Sequence, residues 1–296
     1  MINTLLVILE QSLLHLPLVL GSYISLSLLK VPDLSIESAY VVGAIFGSQV
    51  LLGTASWYPW SVLLCVLAAS FLGGAIVGLV SSTLTQKGSF PHLLSSIVTF
   101  GLFHGINQYI SPFYVSLSAT FNPLIIHGSL QQHPELYMVA IIGLILTVLI
   151  YRLLKTQLGY AYAVYGNNPQ FFNNYGISTA YVFITGVVLA NALAGVSGYL
   201  CAQSTNVVEL TMGVGKALLC ITVLILGKAL VRTSRPLSIG VPLVGTVAYF
   251  GLQQGLLKVG FNLKYFTAIQ AFIILCILLY TYHKNPHRMS NDNLGV

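Results

Sequence analysis

The chain has 296 residues, of which 56% are hydrophobic and only 6% charged, with 12 Lys and Arg against 6 Asp and Glu. A soluble domain carries about 25% charged residues, so the composition excludes a soluble enzyme, a nucleic-acid-binding protein and a disordered chain. The net charge of +6 is too small for a polybasic patch and is typical of basic cytoplasmic loops. We therefore expect an all-α polytopic membrane protein.

Apolar segments of the length that spans a bilayer, about 20 residues each, recur along the chain. We predict about nine, with eight to ten as the range, and the short segment 37–53 could instead be re-entrant. The first segment contains Glu10 and His15 and lacks a basic start and a cleavage site, so it is predicted to be a span and not a signal peptide. The predicted spans are 2–28, 37–53, 60–83, 91–110, 136–154, 180–201, 215–232, 237–257 and 265–282.

The basic residues predict the orientation of these spans. The loops alternate between two sets, one holding or bordering nine Lys and Arg and the other three. Because cytoplasmic loops are enriched in Lys and Arg, the first set, which includes the loop 155–179, is expected inside. The N-terminus is then outside, residues 1–282 form a transmembrane domain, and residues 283–296 form a cytoplasmic tail.

The loop 155–179 is too polar to span the bilayer and too patterned to be a simple linker. Tyr160–Tyr165 predicts a short helix that ends at Gly166. Asn168-Pro169 predicts the cap and first position of a second helix, which ends at Gly176. This shape suits docking into a groove of a partner protein. An amphipathic helix lying in the lipid interface, anchored by its tyrosines, is the open alternative.

Four short motifs, each weak alone, follow one another in an informative order. They are Val31-Pro-Asp-Leu-Ser-Ile-Glu37; Leu158-Gly-Tyr-Ala161 with Gly166-Asn-Asn-Pro169 and Gly176-Ile177; Asn191 to Gln203; and Met212-Gly-Val-Gly215 with Leu224 to Leu230. Together they resemble the permease subunits of bacterial ABC importers of the branched-chain amino-acid and ribose type, above all a subgroup linked to tryptophan and tyrosine uptake. The resemblance implies that the loop 155–179 couples to an ATPase through Gly159, Ala163, Gly166, Asn168, Pro169 and Gly176.

Two positions in this loop depart from the family pattern. The family usually carries an Arg at the position that is Ala163 here, and an acidic residue where this chain has Asn167. Docking would then rest on Tyr and Phe packing and on backbone groups. The effect of the missing Arg on coupling is left open.

An internal repeat is suggested by Asp33–Glu37 (DLSIE) and Glu209–Gly213 (ELTMG), each of which precedes a Gly- or Ala-rich span. In the predicted topology the two segments start from opposite faces, as in an inverted repeat whose halves meet at a midplane site. For Asn191 and His104 the competing interpretation is packing between helices, and for Asp33, Glu37 and Glu209 it is solvation at the ends of spans. The candidate substrate pathway is Asp33, Ser35, Glu37, His104, Asn191, Glu209, Thr211 and Gly213.

Small residues predict where helices approach closely. Gly74-xxx-Gly78, Gly101-xxx-Gly105 and Gly251-xxx-Gly255 each allow close packing, either within the bundle or between two copies of the chain. They carry no information on the substrate.

The sequence contains no catalytic set and no GxxxxGK[ST] loop, so ATP would be bound by another polypeptide. The four cysteines form no CxxC and lie in or at the ends of apolar runs, and we predict neither a metal site nor a cofactor. The chain itself is therefore not expected to be an enzyme.

The resemblance implies a permease subunit that moves a small polar solute, an amino acid above all, across the bacterial inner membrane. Its implied partners are a cytoplasmic ATP-binding subunit, a periplasmic or lipid-anchored substrate-binding protein, membrane lipid, and a second copy or a similar permease. The alternative is a secondary transporter or channel without an ATPase, coupled to ions through Glu10, Glu37, His104 or Lys228. An intramembrane enzyme is a third class that lacks a catalytic set.

Overall fold

The computed structural model describes residues 2–54, 58–88, 90–110, 114–117, 122–125, 135–174, 176, 178–231, 237–261, 265, 268–272 and 275–276. Within these ranges the chain is a bundle of helices with a two-stranded antiparallel ladder. The helices are α1 (Ile2–Ser22), α2 (Ser35–Gly53), α3 (Pro59–Gly88), α4 (His92–Ile110), α5 (Leu136–Leu154), α6 (Gln157–Asn167), α7 (Gln170–Asn174), α8 (Thr179–Thr205), α9 (Lys216–Val231) and α10 (Gly240–Lys258), and the strands are β1 (Tyr114–Ser116) and β2 (Val207–Glu209).

Six helical segments of the described chain are long and apolar enough to cross a membrane, which confirms an all-α polytopic membrane protein. The predicted count of nine is not confirmed. The predicted spans 91–110 and 237–257 coincide with α4 and α10, which are helices of 19 residues but are not among the six. The segment 265–282 and the tail 283–296 lie mostly or wholly outside the described residues. The six are Asn3–Leu28, Ser35–Gly53, Pro59–Gly88, Leu136–Leu154, Thr179–Thr205 and Leu210–Val231.

At the centre of the bundle α2, α3 and α8 cross. Three glycines there allow the backbones of these helices to contact one another directly. A Cβ placed on Gly195 of α8 would run into the carbonyl oxygen of Ser70, and one on Gly43 of α2 into the backbone of Gly195 itself. A Cβ on Gly74 of α3 would meet the carbonyl oxygen of Asn191. Small residues at these points bring the helices to the distance at which van der Waals packing stabilises a bundle in lipid.

The three Gly-xxx-Gly pairs differ in what surrounds them. Gly78, like Gly74, lies against α8, with Val188 Cα 2.8 Å from the position of an added Cβ. Added Cβ atoms on the Gly101-xxx-Gly105 and Gly251-xxx-Gly255 pairs would meet nothing of the described chain within 4 Å. The first pair therefore packs the bundle, and the other two face its outside.

At its C-terminal end α1 changes to a π-helical segment, Tyr23–Leu28. The chain then turns at Lys30, which adopts a φ of 57°, and returns towards the bundle interior before α2 begins at Ser35. The Val31 N–H donates to the Ser25 carbonyl over 2.9 Å, and the Tyr23 hydroxyl accepts from the Ser238 N–H over 2.9 Å. These bonds tie the π-helical segment to its surroundings. Segments of this kind occur frequently at functional sites.

Candidate functional site

The predicted docking loop forms two helices, α6 and α7, and buried aromatic residues attach them to the bundle. Tyr162 of α6 is 1% exposed and Phe172 of α7 is 4% exposed. The Tyr162 hydroxyl donates to the Thr185 hydroxyl of α8 over 3.4 Å. Burial raises the pKa of Tyr162, so its hydroxyl stays a neutral donor. The α6–α7 pair is thus held against the ends of the membrane-spanning helices.

Gly166 has a different role from the predicted one. We expected it to end the first helix, but α6 continues through Gly166 to Asn167. A Cβ at Gly166 would run into the carbonyl oxygen of Leu28, so the glycine is needed for close packing of α6 on the end of α1. Beside this contact the Lys30 ammonium donates to the Asn167 side-chain oxygen over 2.8 Å. Gly159 is needed in the same way, because its Cβ would meet the backbone of Leu154.

The opposite face of the α6–α7 pair is exposed and mixes aromatic and apolar side chains with polar amides. Tyr160 is 57% exposed and Phe171 is 40% exposed, and Asn168 and Pro169 lie between them in the break between the helices. Gly176, which follows α7, has a φ of +67°, a conformation that suits glycine. Exposed aromatic side chains on a segment outside the spans fit a contact with another protein or with the lipid interface.

Ala163, where the family usually carries an Arg, does not belong to this exposed face. It is 9% exposed and lies on the side of α6 that faces the bundle. Its carbonyl accepts from the Asn167 side-chain amide over 2.8 Å. The alanine therefore leaves the exposed surface of the pair unchanged.

Three of the predicted pathway residues, Asp33, Ser35 and Asn191, form a buried polar cluster where the start of α2 meets the middle of α8. Asp33 is 5% exposed, and Ser35 and Asn191 are fully buried. The Asn191 side-chain amide donates to Asp33 Oδ2 over 2.8 Å, and the Ser35 N–H donates to Asp33 Oδ1 over 2.9 Å. The Ser35 hydroxyl lies 2.5 Å from Asp33 Oδ1 and 3.1 Å from Asn191 Oδ1. Solvation of Asp33 at a span end, one of the two interpretations above, is therefore wrong.

The two segments of the predicted repeat, Asp33–Glu37 and Glu209–Gly213, contact each other inside the bundle. Glu37, in the first turn of α2, accepts the Ala217 N–H of α9 over 3.2 Å. A Cβ at Gly213 would run into the carbonyl oxygen of Glu37. An acidic side chain at a helix N-terminus is favourable because it satisfies free N–H groups and the helix dipole. The N-terminal ends of α2 and α9 thus lie together, and the inverted repeat itself stays a prediction.

Of the other predicted pathway residues, His104 lies on a different helix from this junction. His104 is exposed on the outside of α4, where its ring stacks on Phe100 with centroids 6.0 Å apart. The packing interpretation of His104 stays a prediction, for a helix that would lie on this outer face. Glu209 and Thr211 are exposed, and Glu209 lies on the rim of a cavity.

Two adjoining cavities, of about 500 and 290 Å³, open beside the start of α9. We name them together the α1–α9 cavity, since Gln11 and His15 of α1 and Met212 and Lys216 at the start of α9 line both. The sequence places His15 in the first span and Lys216 near the start of a later one, with no local pattern that joins them. The signal available was the presence of two ionisable residues in apolar segments, which are costly unless they are functional.

Comparison with known proteins matches residues 4–278 to the family model described as "Branched-chain amino acid transport system / permease component". A tyrosine transport system permease protein of Clostridioides difficile is 29% identical over 273 residues, covering 88% of this chain and 87% of the relative. An uncharacterised protein of Rickettsia prowazekii is 28% identical over 282 residues, covering 92% of this chain and 97% of the relative. No solved structure matches.

Proposed function

The chain belongs to the family of permease components of branched-chain amino acid transport systems, and on that premise we propose how it works. It is the multi-pass membrane subunit of an ABC importer, and a separate ATPase drives it from the cytoplasmic side through the α6–α7 pair. The observation that supports this proposal most directly is the arrangement of the α6–α7 pair. One face packs closely against the end of α1, and Tyr160 and Phe171 are exposed on the other face. The chain does no covalent chemistry, and its work is to favour one of two conformations.

The substrate is an amino acid. The support is the family description together with the relative named as a tyrosine transport permease. A substrate-binding protein delivers the amino acid to the side of the membrane opposite the α6–α7 pair. In the orientation that the Lys and Arg distribution predicts, the N-terminus lies outside the bacterial inner membrane and the C-terminal tail inside.

The ATPase contact is tested by Tyr160→Ser. We expect the variant to lose most of the ATPase that co-purifies with the chain in mild detergent, since an exposed aromatic at the centre of an interface often contributes 2 kcal/mol or more, about 30-fold in affinity. Tyr137→Ser is the matched control, because Tyr137 is 51% exposed at the start of α5 on the other side of the membrane in the predicted topology.

Equal ATPase recovery in the two tyrosine variants would count against the docking role of the α6–α7 pair. Uptake by purified wild-type chain alone, driven by an ion gradient without ATP, would instead favour the secondary-transporter alternative. Labelling of the α6–α7 pair from outside intact cells would overturn the predicted orientation and the proposal with it.

The permease works as a pair, either with a second copy or with a similar chain. The support is the outer face of α4, where Gly101, His104, Gly105 and Gln108 are all exposed. Their spacing places them on one side of the helix. Polar side chains on a face that would otherwise meet lipid are costly, and glycines beside them permit close approach of a second helix.

The pairing surface is tested by cysteine cross-linking. In a background where Cys65 and Cys276 are serine, Gly105→Cys is expected to form a disulfide-linked dimer in the membrane. Leu144→Cys is the control, because Leu144 is 66% exposed on α5, away from this face. Equal cross-linking of both variants, or none at Gly105→Cys, would exclude this face of α4 as the contact.

A further inference from the structure

We propose that the α1–α9 cavity binds the charged head of an amino acid, with the Lys216 ammonium holding the carboxylate and the Glu209 carboxylate holding the amino group. This inference rests on the proposed amino-acid import and adds the binding residues, which the family description and the relatives do not name. It is carried by a cation that lines both adjoining cavities, an anion that lines the first, and aromatic rings that line the second.

Lys216 contacts neutral groups within the cavity. Its Nζ lies 2.9 Å from His15 Nε2 and 4.9 Å from the centre of the Tyr40 ring. His15 Nδ1 lies 3.0 Å from the Gln11 carbonyl oxygen, which can only accept, so Nδ1 carries the proton. His15 Nε2 then has a lone pair that accepts from the Lys216 ammonium. The histidine is neutral in this arrangement and supplies no negative charge to the lysine.

The nearby carboxylate of Glu37 is already engaged. It accepts the Ala217 N–H over 3.2 Å, and although it interacts electrostatically with Lys216, the two form no ion pair in the described part of the chain. A partly buried ammonium without a paired anion is unfavourable, because removal from water is repaid only by a close, hydrogen-bonded partner. A carboxylate that enters the cavity supplies that partner.

The opposite charge is available on the same wall. Glu209 lines the larger cavity and is itself exposed at the rim. The cavity volume of about 500 Å³ is within the range of roughly 300 to 1,000 Å³ that holds small ligands. Gln11, Ser204 and Thr205 line the same cavity, and their polar groups can orient an amino-acid head. A cation and an anion facing one small space fit a zwitterion better than a simple anion or cation.

The adjoining cavity of about 290 Å³ offers a place for the side chain of the substrate. Tyr249 and Phe250 of α10 line it, with their rings edge to face and centroids 5.1 Å apart. The Phe250 ring also lies 4.9 Å from the His15 ring. Aromatic walls of this kind favour apolar and aromatic groups. Gln253 and Gln270 line the same cavity, so it suits a side chain that combines an aromatic ring with a polar group.

The test measures binding to the purified full-length chain by thermal stabilisation, with three probes. L-tyrosine carries both charges, tyramine lacks the carboxylate, and 3-(4-hydroxyphenyl)propionate lacks the amino group. The wild-type chain should bind tyrosine most tightly. Lys216→Met should weaken tyrosine at least tenfold and leave tyramine unchanged. Glu209→Gln should weaken tyrosine and leave the propionate unchanged.

Two further variants keep the test decisive. Lys216→Arg preserves the cation and should retain most of the tyrosine affinity, and Lys258→Met removes an exposed lysine at the end of α10 and should change nothing. Equal tyrosine affinity in Lys216→Met and Lys258→Met would overturn the proposal. So would a wild-type chain that none of the twenty amino acids stabilises. Transport is measured separately. ATP-driven uptake with an unchanged KM in Lys216→Met would rule out this binding site without contradicting the importer function.

Discussion

Gly166→Val is expected to reduce ATP-driven uptake about tenfold or more while the ATPase still binds and hydrolyses ATP. A Cβ at this position meets the Leu28 carbonyl oxygen, and Leu29 C lies 3.0 Å away, so the valine displaces α6 from the end of α1. Overpacking of this kind costs about 1 to 3 kcal/mol. Because the exposed face with Tyr160 is untouched, the motor still docks, but its movement no longer reaches the spans.

The measurement for Gly166→Val is uptake and ATP hydrolysis by the same reconstituted complex. Gly53→Val is the control, since a Cβ on Gly53 meets no atom of the described residues within 4 Å. Lys30→Met is a milder second variant that removes the 2.8 Å bond to Asn167 without adding volume, and we expect a smaller fall in the ratio of uptake to hydrolysis. Normal uptake in Gly166→Val would show that the contact between Gly166 and Leu28 is not needed for coupling.

Gly195→Val is expected to have the largest effect on folding. Gly195 touches Gly43 of α2 on one side and Gly74 and Ser70 of α3 on the other, with Gly74 Cα 3.1 Å from an added Cβ. Three helices cannot separate to admit a valine without loss of the contacts around them. We expect destabilisation of about 3 kcal/mol or more, which lowers the midpoint of thermal unfolding by roughly 10 °C.

Two other glycine variants make this measurement specific. Gly251→Val places the same side chain in a helix where the added Cβ meets nothing within 4 Å in the part of the chain that the structure describes, and it should unfold close to the wild-type temperature. Gly195→Ala should fall between the two. If Gly195→Val unfolds at the wild-type temperature in detergent, the helices at the α2–α3–α8 crossing have room for a larger side chain, and the prediction is wrong.

The helices that span the membrane could be predicted because hydropathy depends on composition over a long window. The short segment 37–53, predicted as a span or a re-entrant piece, is a helix of 19 residues. The break between α6 and α7 was also predictable, since Asn168-Pro169 and Gly176 act through local backbone chemistry. Properties set by a few neighbouring residues are visible in the sequence.

Properties set by distant residues could not be predicted. Gly166 has the local character of a helix stop, and only the position of Leu28 shows that it is a packing residue. The residues next to Asp33 in the sequence are compatible with a position in solvent at the end of a span. Its burial instead depends on a hydrogen bond from Asn191, 158 residues away. The α1–α9 cavity likewise joins His15 to Lys216, 201 residues apart. A single sequence carries no record of such contacts.

The path of α1 has a mechanical consequence. His15 lines the cavity and Leu28 lies under Gly166 of α6, and 13 residues of one continuous helix separate them, about 20 Å at 1.5 Å per residue. The proposed solute cavity and the proposed motor contact therefore lie at opposite ends of one helical rod. The rod also contains its own adjustable joint: π-helical turns hold more residues than α-helical turns, so tightening Tyr23–Leu28 would lengthen it along its axis.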